Sequence, residues 1–180
     1  DFNGDDRTDN YDNHTENAHH VTIASGNVGS AFMDGFTVTG GYARGNTSGP
    51  SVMGRTIYRF FGGGTYVISS SPQFTHMAWF NNLGDWGGGL FNTVSLLTEI
   101  SSPKLSNVTF YRNMAPGGGG GIRNFGGSVD IKQAIFANNG AGLVEDGTSS
   151  GPGGGIHSSG NGTSLSVTNA TFYGNWIVGV

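Results

Sequence analysis

The chain contains no cysteine, so it has neither disulfides nor thiol chemistry, and the missing residue leaves the redox compartment open. Charge is scarce as well. Asp, Glu, Lys and Arg together make up 11% of the sequence, and the net charge of −4 comes with only eight scattered Lys and Arg, so no basic stripe exists to follow a nucleic acid backbone. No apolar run approaches the ~20 residues that would span a bilayer, and no signal peptide opens the chain. Helix-forming segments are equally absent: 34 of the 180 residues are glycine, and Ser, Thr and Asn fill most polar positions, which favours short strands joined by turns.

What is present is a repeated phrase. An apolar residue, two spacers, a second apolar residue, one spacer and a third apolar residue recur five times, as Met33/Phe36/Val38, Phe74/Met77/Trp79, Leu105/Val108/Phe110, Ile131/Ala134/Phe136 and Val167/Ala170/Phe172. Three positions after the phrase stand Gly41, Asn82, Asn113, Asn139 and Asn175. No copy has enough apolar residues to close a core alone, so the copies must stack and share one. The last two apolar positions have the period of two expected of a strand with one buried face. The two-residue spacer, Ser106-Asn107 or Thr168-Asn169, interrupts that period and predicts a bend between two strands. Glycine runs at 62–64, 87–89, 117–121 and 153–155 mark a second corner, where positive φ and close backbone approach are needed. A phosphate loop is the rival reading of such runs, but no helix-forming segment or Gly-Lys-Ser/Thr comes after any of them.

These features predict an all-β chain built as a right-handed parallel β-helix of about five coils, with a coil spacing of ~4.8 Å. Residues 1–180 are read as one segment of a longer chain, because the sequence starts without Met and stops mid-pattern. Trp79, Phe110, Phe136 and Phe172 are expected to stack inside, and Asn82, Asn113, Asn139 and Asn175 to form an amide ladder along the axis. The third apolar positions are 41, 31, 26 and 36 residues apart, which places insertions near 42–61, 93–99 and 141–152. Insertions at the corners of a solenoid are where recognition usually sits.

The stretches SSPKLSNVTFYRNMAPGGGGGIRN and TSLSVTNATFYGNW, with the opening DFNGDD, ENAHHVTIASG and MDGFTVTGG, resemble the β-helical repeats of large secreted bacterial surface proteins, which are related to polymorphic outer membrane protein repeats. The resemblance covers nearly the whole chain and implies an extracellular or cell-surface setting. Val38 and Gly41 in the first copy, and the FNNLG after Trp79, depart from the Phe-x-x-Asn of those repeats. Such repeats serve adhesion, surface coating and, in some cases, polysaccharide processing.

Candidate sites are few. Asp1, Asn3, Asp5 and Asp9 in the acidic stretch 1–16 put oxygen ligands at alternate positions and then four residues on, as a short calcium loop does; the alternative is a solvated acidic turn. Adjacent His19 and His20 point to opposite faces of a strand and do not share one metal ion easily. Asp34 is in register with Thr75, Ser106, Lys132 and Thr168, so no carboxylate column forms and no catalytic residue is assigned. The position after the third buried residue should face outward, and it holds Thr39, Phe80, Tyr111, Ala137 and Tyr173. Exposed aromatics there could meet a glycan or a neighbouring protein, or be covered by Tyr58, Phe60 and Phe61 of the largest insertion. The expectation is a non-catalytic structural or adhesive solenoid, with self or a surface glycan as partner. The alternative is a polysaccharide-binding or polysaccharide-degrading protein whose active face lies outside this segment.

Overall fold

A computed structural model describes residues 15–29, 31–142 and 151–178. Among them the chain is all-β, without helices. It visits three parallel sheets in the same order five times. The first sheet stacks Thr22–Ser25, Thr65–Ile68, Leu90–Thr93, Ile122–Phe125 and Ile156–Ser159. The second is built on Phe32–Asp34, Gln73–Thr75, Lys104–Tyr111, Ser128–Ala137 and Ser164–Tyr173, with Thr37–Thr39 and Ala78–Phe80 completing its first two passes. The third carries the two-residue strands from Tyr42–Ala43 to Trp176–Ile177. One pairing is antiparallel, the hairpin of Ser48–Val52 with Arg55–Tyr58.

Register aligns the repeated phrase. Val38, Trp79, Phe110, Phe136 and Phe172 are partners across successive strands. Their rings lie nearly parallel, Trp79 on Phe110 at 4.5 Å, Phe110 on Phe136 at 5.0 Å and Phe136 on Phe172 at 4.8 Å. Trp79, Phe110 and Phe136 are fully buried, together with Leu90 and Ile122 from the first sheet. Val38 closes the first end of the column at 2% exposure, but the outermost passes are otherwise less covered. Phe36, at the second apolar position of the first phrase and expected in the core, is 60% exposed, and Phe172, the last ring of the column, is 49% exposed, because each lies in an outermost pass of the second sheet among the described residues.

A buried amide column runs beside the rings. Asn82 donates to Asn113 Oδ1 at 3.0 Å, Asn113 to Asn139 Oδ1 at 3.0 Å and Asn139 to Asn175 Oδ1 at 2.9 Å. Each Oδ1 also accepts the backbone N–H of the preceding column member, and each Nδ2 donates a second bond to a backbone carbonyl, as Asn113 does to Trp79 O at 2.9 Å. Every polar atom of the three buried amides is therefore matched, which a dry interior requires. A shorter second column, absent from the sequence reading, joins Asn92 to Asn124 at 2.9 Å and Asn124 to Ser158 at 3.1 Å.

The bend in the phrase is narrower than its two spacer residues imply. One residue per pass takes a left-handed conformation: Gly35, His76, Asn107, Gln133 and Asn169, with φ of 77, 51, 54, 56 and 55°. That single rotation lets the inward face return after three residues instead of two, so Leu105 and Val108 both point into the core. In the third to fifth passes the strand continues through the bend unbroken. At the glycine corner both needs of that residue type are met. Gly119 has φ of 71°, and a Cβ on Gly121 would sit 2.5 Å from Gly155 O of the next pass.

Three insertion boundaries shift. Tyr42 and Ala43 belong to the third sheet, paired with Leu83 and Gly84, so the insertion predicted at 42–61 begins after them. Thr93 belongs to the first sheet, paired with Ile68 and Phe125, so the loop predicted at 93–99 begins after it. Ala141 belongs to the third sheet, paired with Ala115 and Ile177, so the insertion predicted at 141–152 begins later. All four residues continue a parallel ladder whose hydrogen bonds outweigh the turn-forming character of the segments adjoining them. Within 42–61 the inserted residues form the antiparallel hairpin, turned by Met53 and Gly54 at φ of 51 and 76°, the pattern of a two-residue type I′ turn.

Candidate functional site

The outward face of the first sheet carries the principal site. Strand alternation sends Leu90 and Ile122 inward and therefore Phe91 and Arg123 outward, in register with Tyr66 before them and His157 after. The inserted hairpin folds against this face and buries Ile57 to 1% exposure against Tyr66, Ile68 and Phe91. The chain leaving the hairpin places Phe61 opposite Trp86 in a parallel bridge and stacks it on Phe91 at 4.3 Å, with the ring planes 4° apart. Phe60, Phe61, Trp86, Phe91, Arg123 and Phe125 line a pocket of about 240 Å³.

Arg123 is the one cation among those lining residues. It is 5% exposed, and its guanidinium lies 5.1 Å from the ring of Trp86 and 5.5 Å from that of Phe125. Cation–π contact offsets part of the cost of that burial. Hydrogen bonding does not, since Nε and Nη1 are buried without a partner. Burial accordingly lowers the pKa of the group. The adjacent His157 imidazole is held below its ordinary value, first by burial and then by the Arg123 charge, and its Nδ1 also lacks a partner. The site thus combines flat apolar walls with an unmatched positive charge.

The residues nominated from sequence distribute over two faces. Phe60 lines the pocket, and Tyr58, 40% exposed, stands 5.6 Å from Phe60 and 5.7 Å from Phe61. These rings do not cover the second sheet, the alternative open from sequence. They pack over the first sheet, because the hairpin folds onto Tyr66 and Phe91. Phe80 and Tyr111 stack at 5.6 Å on the second sheet, but the column stops at Ala137, which is fully buried where an outward residue was expected. Its single methyl group lies in register between Tyr111 and Tyr173, whose larger side chains shield it. Tyr173 is 54% exposed beyond it.

Metal and acid–base chemistry find little support among the described residues. Asp1, Asn3, Asp5 and Asp9 lie outside them. No group of three His, Asp or Glu is placed to hold a metal ion among the described residues. His19 and His20 contact different carbonyls, Tyr42 O at 3.2 Å and Gly62 O at 3.0 Å. Asp34, Asp85, Glu99 and Asp130 each face a basic partner: His76, Arg44, Arg55 and Lys132. Burial raises the pKa of Asp85, against the opposing pull of Arg44 and the Gly45 N–H. Glu99 is shifted down, first by the Ser69 hydroxyl and then by Arg55. Each of these carboxylates is thus engaged by a base, whereas glycosidic cleavage by paired acids works with two carboxyl groups facing one bond.

Trp86, Phe91, Arg123 and Phe125 were not nominated from sequence. The signal was present: three of the four glycine runs are followed by an aliphatic, and the residue after it is the outward one, giving Phe91, Arg123 and His157. Comparison with family models, with curated proteins and with solved structures returns no match. Among the described residues no helix is long and apolar enough to cross a membrane.

Proposed function

We propose that the chain is a stretch of right-handed parallel β-helix serving as a non-catalytic, extracellular or cell-surface structural solenoid, of the kind its phrases resemble. The observation that carries the reading is the order of passes: three parallel sheets visited in one sequence five times, with an amide column continuous from Asn82 to Asn175. A coat or adhesive stalk needs length and stiffness, and both arise from a core shared between neighbouring passes. The pairing of Asp34, Asp85, Glu99 and Asp130 with basic groups favours a scaffold over a hydrolase or lyase. Small-angle scattering and electron microscopy at rising protein concentration test the proposal. An elongated particle that associates end to end is expected, and a compact, strictly monomeric one overturns it.

A second reading, polysaccharide binding, is favoured by the pocket on the first sheet. Aromatic walls stack on the C–H faces of sugar rings, and a rigid sheet holds them in place without ordering cost on binding. Retention of the protein on immobilised polysaccharides without cleavage is the expected result. Absence of retention on acidic and neutral polymers alike removes this reading.

A further inference from the structure

We propose that the pocket around Arg123 binds a hexuronic acid residue, with the sugar ring against the aromatic walls and its carboxylate on the guanidinium. The inference rests on the polysaccharide-binding reading and adds charge to it. Its basis is an imbalance. Arg has five N–H donors and no acceptor, yet Nε and Nη1 of Arg123 are buried with nothing to bond, and no carboxylate pairs with it among the described residues. A guanidinium withdrawn from water without a counter-ion destabilises a fold, so its natural complement is an anion supplied from outside. The group is also fixed in orientation. Trp86 and Phe125 flank it at 5.1 and 5.5 Å, and Phe61 stacked on Phe91 makes a flat wall of the same pocket.

Shape and size narrow the anion. Phosphate or sulfate alone would leave the walls of Phe60, Phe61, Trp86 and Phe91 without contact. A carboxylate supplies the negative charge that the guanidinium lacks, and a pyranose ring brings a C–H face for the aromatics. At about 240 Å³ the pocket is below the ~300 Å³ of drug-sized sites and admits one ring with its carboxylate. An aromatic carboxylate shares this chemistry and serves as the competing source.

Calorimetric titration of the intact chain with an oligoglucuronate, its methyl ester and benzoate tests the assignment. The acid should bind, and the ester, which keeps the ring but loses the charge, should bind on the order of 10- to 100-fold more weakly. Arg123→Gln should erase that difference. Arg123→Met separates a binding cation from a packing one: it should abolish the preference for acid while melting at or above the temperature of the parent chain, because an unmatched buried charge has been removed. Equal affinity for acid and ester overturns the proposal while leaving polysaccharide binding intact. Binding of benzoate without oligoglucuronate overturns the assignment to a sugar. Clear destabilisation by Arg123→Met in a chain indifferent to all three ligands shows that Arg123 serves the packing of Trp86 and Phe125.

Discussion

Replacing Asn113 by Ala is the sharpest test of how the interior is held together. The side chain is fully buried and makes four hydrogen bonds: it accepts from the Asn82 N–H and from Asn82 Nδ2, and it donates to Trp79 O and Asn139 Oδ1. Partial compensation exists on both sides. Asn82 Nδ2 keeps its bond to Val38 O, and Asn139 Oδ1 keeps the backbone N–H of residue 113. The Asn82 N–H loses its side-chain acceptor, at about 1–3 kcal/mol for a buried donor, and the two half-satisfied amides and the cavity add to it. A total of about 3–5 kcal/mol is expected, a large share of the 5–15 kcal/mol that stabilises a typical domain. Asn113→Asp should be no better, since a carboxylate accepts where the parent donates to Trp79 O and Asn139 Oδ1. Asn175→Ala removes the same chemistry from the last, half-exposed position and should cost about 1–2 kcal/mol. Urea unfolding measures the totals, and amide hydrogen exchange at residue 82 reads the local loss. Equal costs below 1 kcal/mol for Asn113→Ala and Asn175→Ala would show that the amide column contributes nothing beyond the backbone ladder.

Phe110→Ala, at the centre of the ring stack, should cost about 3–5 kcal/mol, and Tyr111→Ala, which loses mainly its outer contact with Phe80, about 1 kcal/mol; similar losses in chemical denaturation would contradict the inward and outward assignment. Gly121→Ala should disrupt the first sheet, since its Cβ meets Gly155 O at 2.5 Å, whereas Gly29→Ala has open space but a φ of 62° and should lose only about 1 kcal/mol; thermal melting ranks the two. His20 and His157 are both depressed by burial, so their contribution to stability is complete above the ordinary imidazole pKa of about 6.5 and is lost as pH falls through their folded values. Melting temperature should therefore be flat above pH 7 and fall below pH 6, and His20→Asn should shallow the slope; an unchanged slope would assign the acid sensitivity elsewhere.

The interior was legible because its chemistry repeats at fixed phase. Val38, Trp79, Phe110, Phe136 and Phe172 occupy one place in the phrase, and the amides three residues on could only line up if the phrases did. The outer surface obeys the same alternation but carries no repeated residue: Tyr66, Phe91, Arg123 and His157 share a column without sharing a type. Arg123 by type belongs in water, and it sits between Trp86 and Phe125 in a pocket that Phe60 and Phe61 join only through the fold of residues 48–61 over its sheet. That fold was open from sequence, because an insertion of that length can turn toward any face. Phe60 was nominated as part of a cover over the outward aromatics of the second sheet and instead lines the pocket on the first, packed against Phe61 at 4.3 Å. The boundary errors at Tyr42 and Ala43, at Thr93 and at Ala141 arose because a parallel ladder extends as far as its neighbour allows, which no residue type encodes.

The amide column has a direction. Every Oδ1 from Asn113 to Asn175 accepts from the preceding pass, so the carbonyls all point toward the N-terminal side and the dipoles add head to tail. With ~3.5 D for each amide, the column is an electrical arrow laid along the stacking direction. Two ends of the same kind brought face to face would oppose carbonyl to carbonyl, or donor to donor. A junction that prolongs the column must join unlike ends. Any fibre grown from such units is vectorial, with a leading and a trailing tip, and end-on pairing by two-fold symmetry is closed to it.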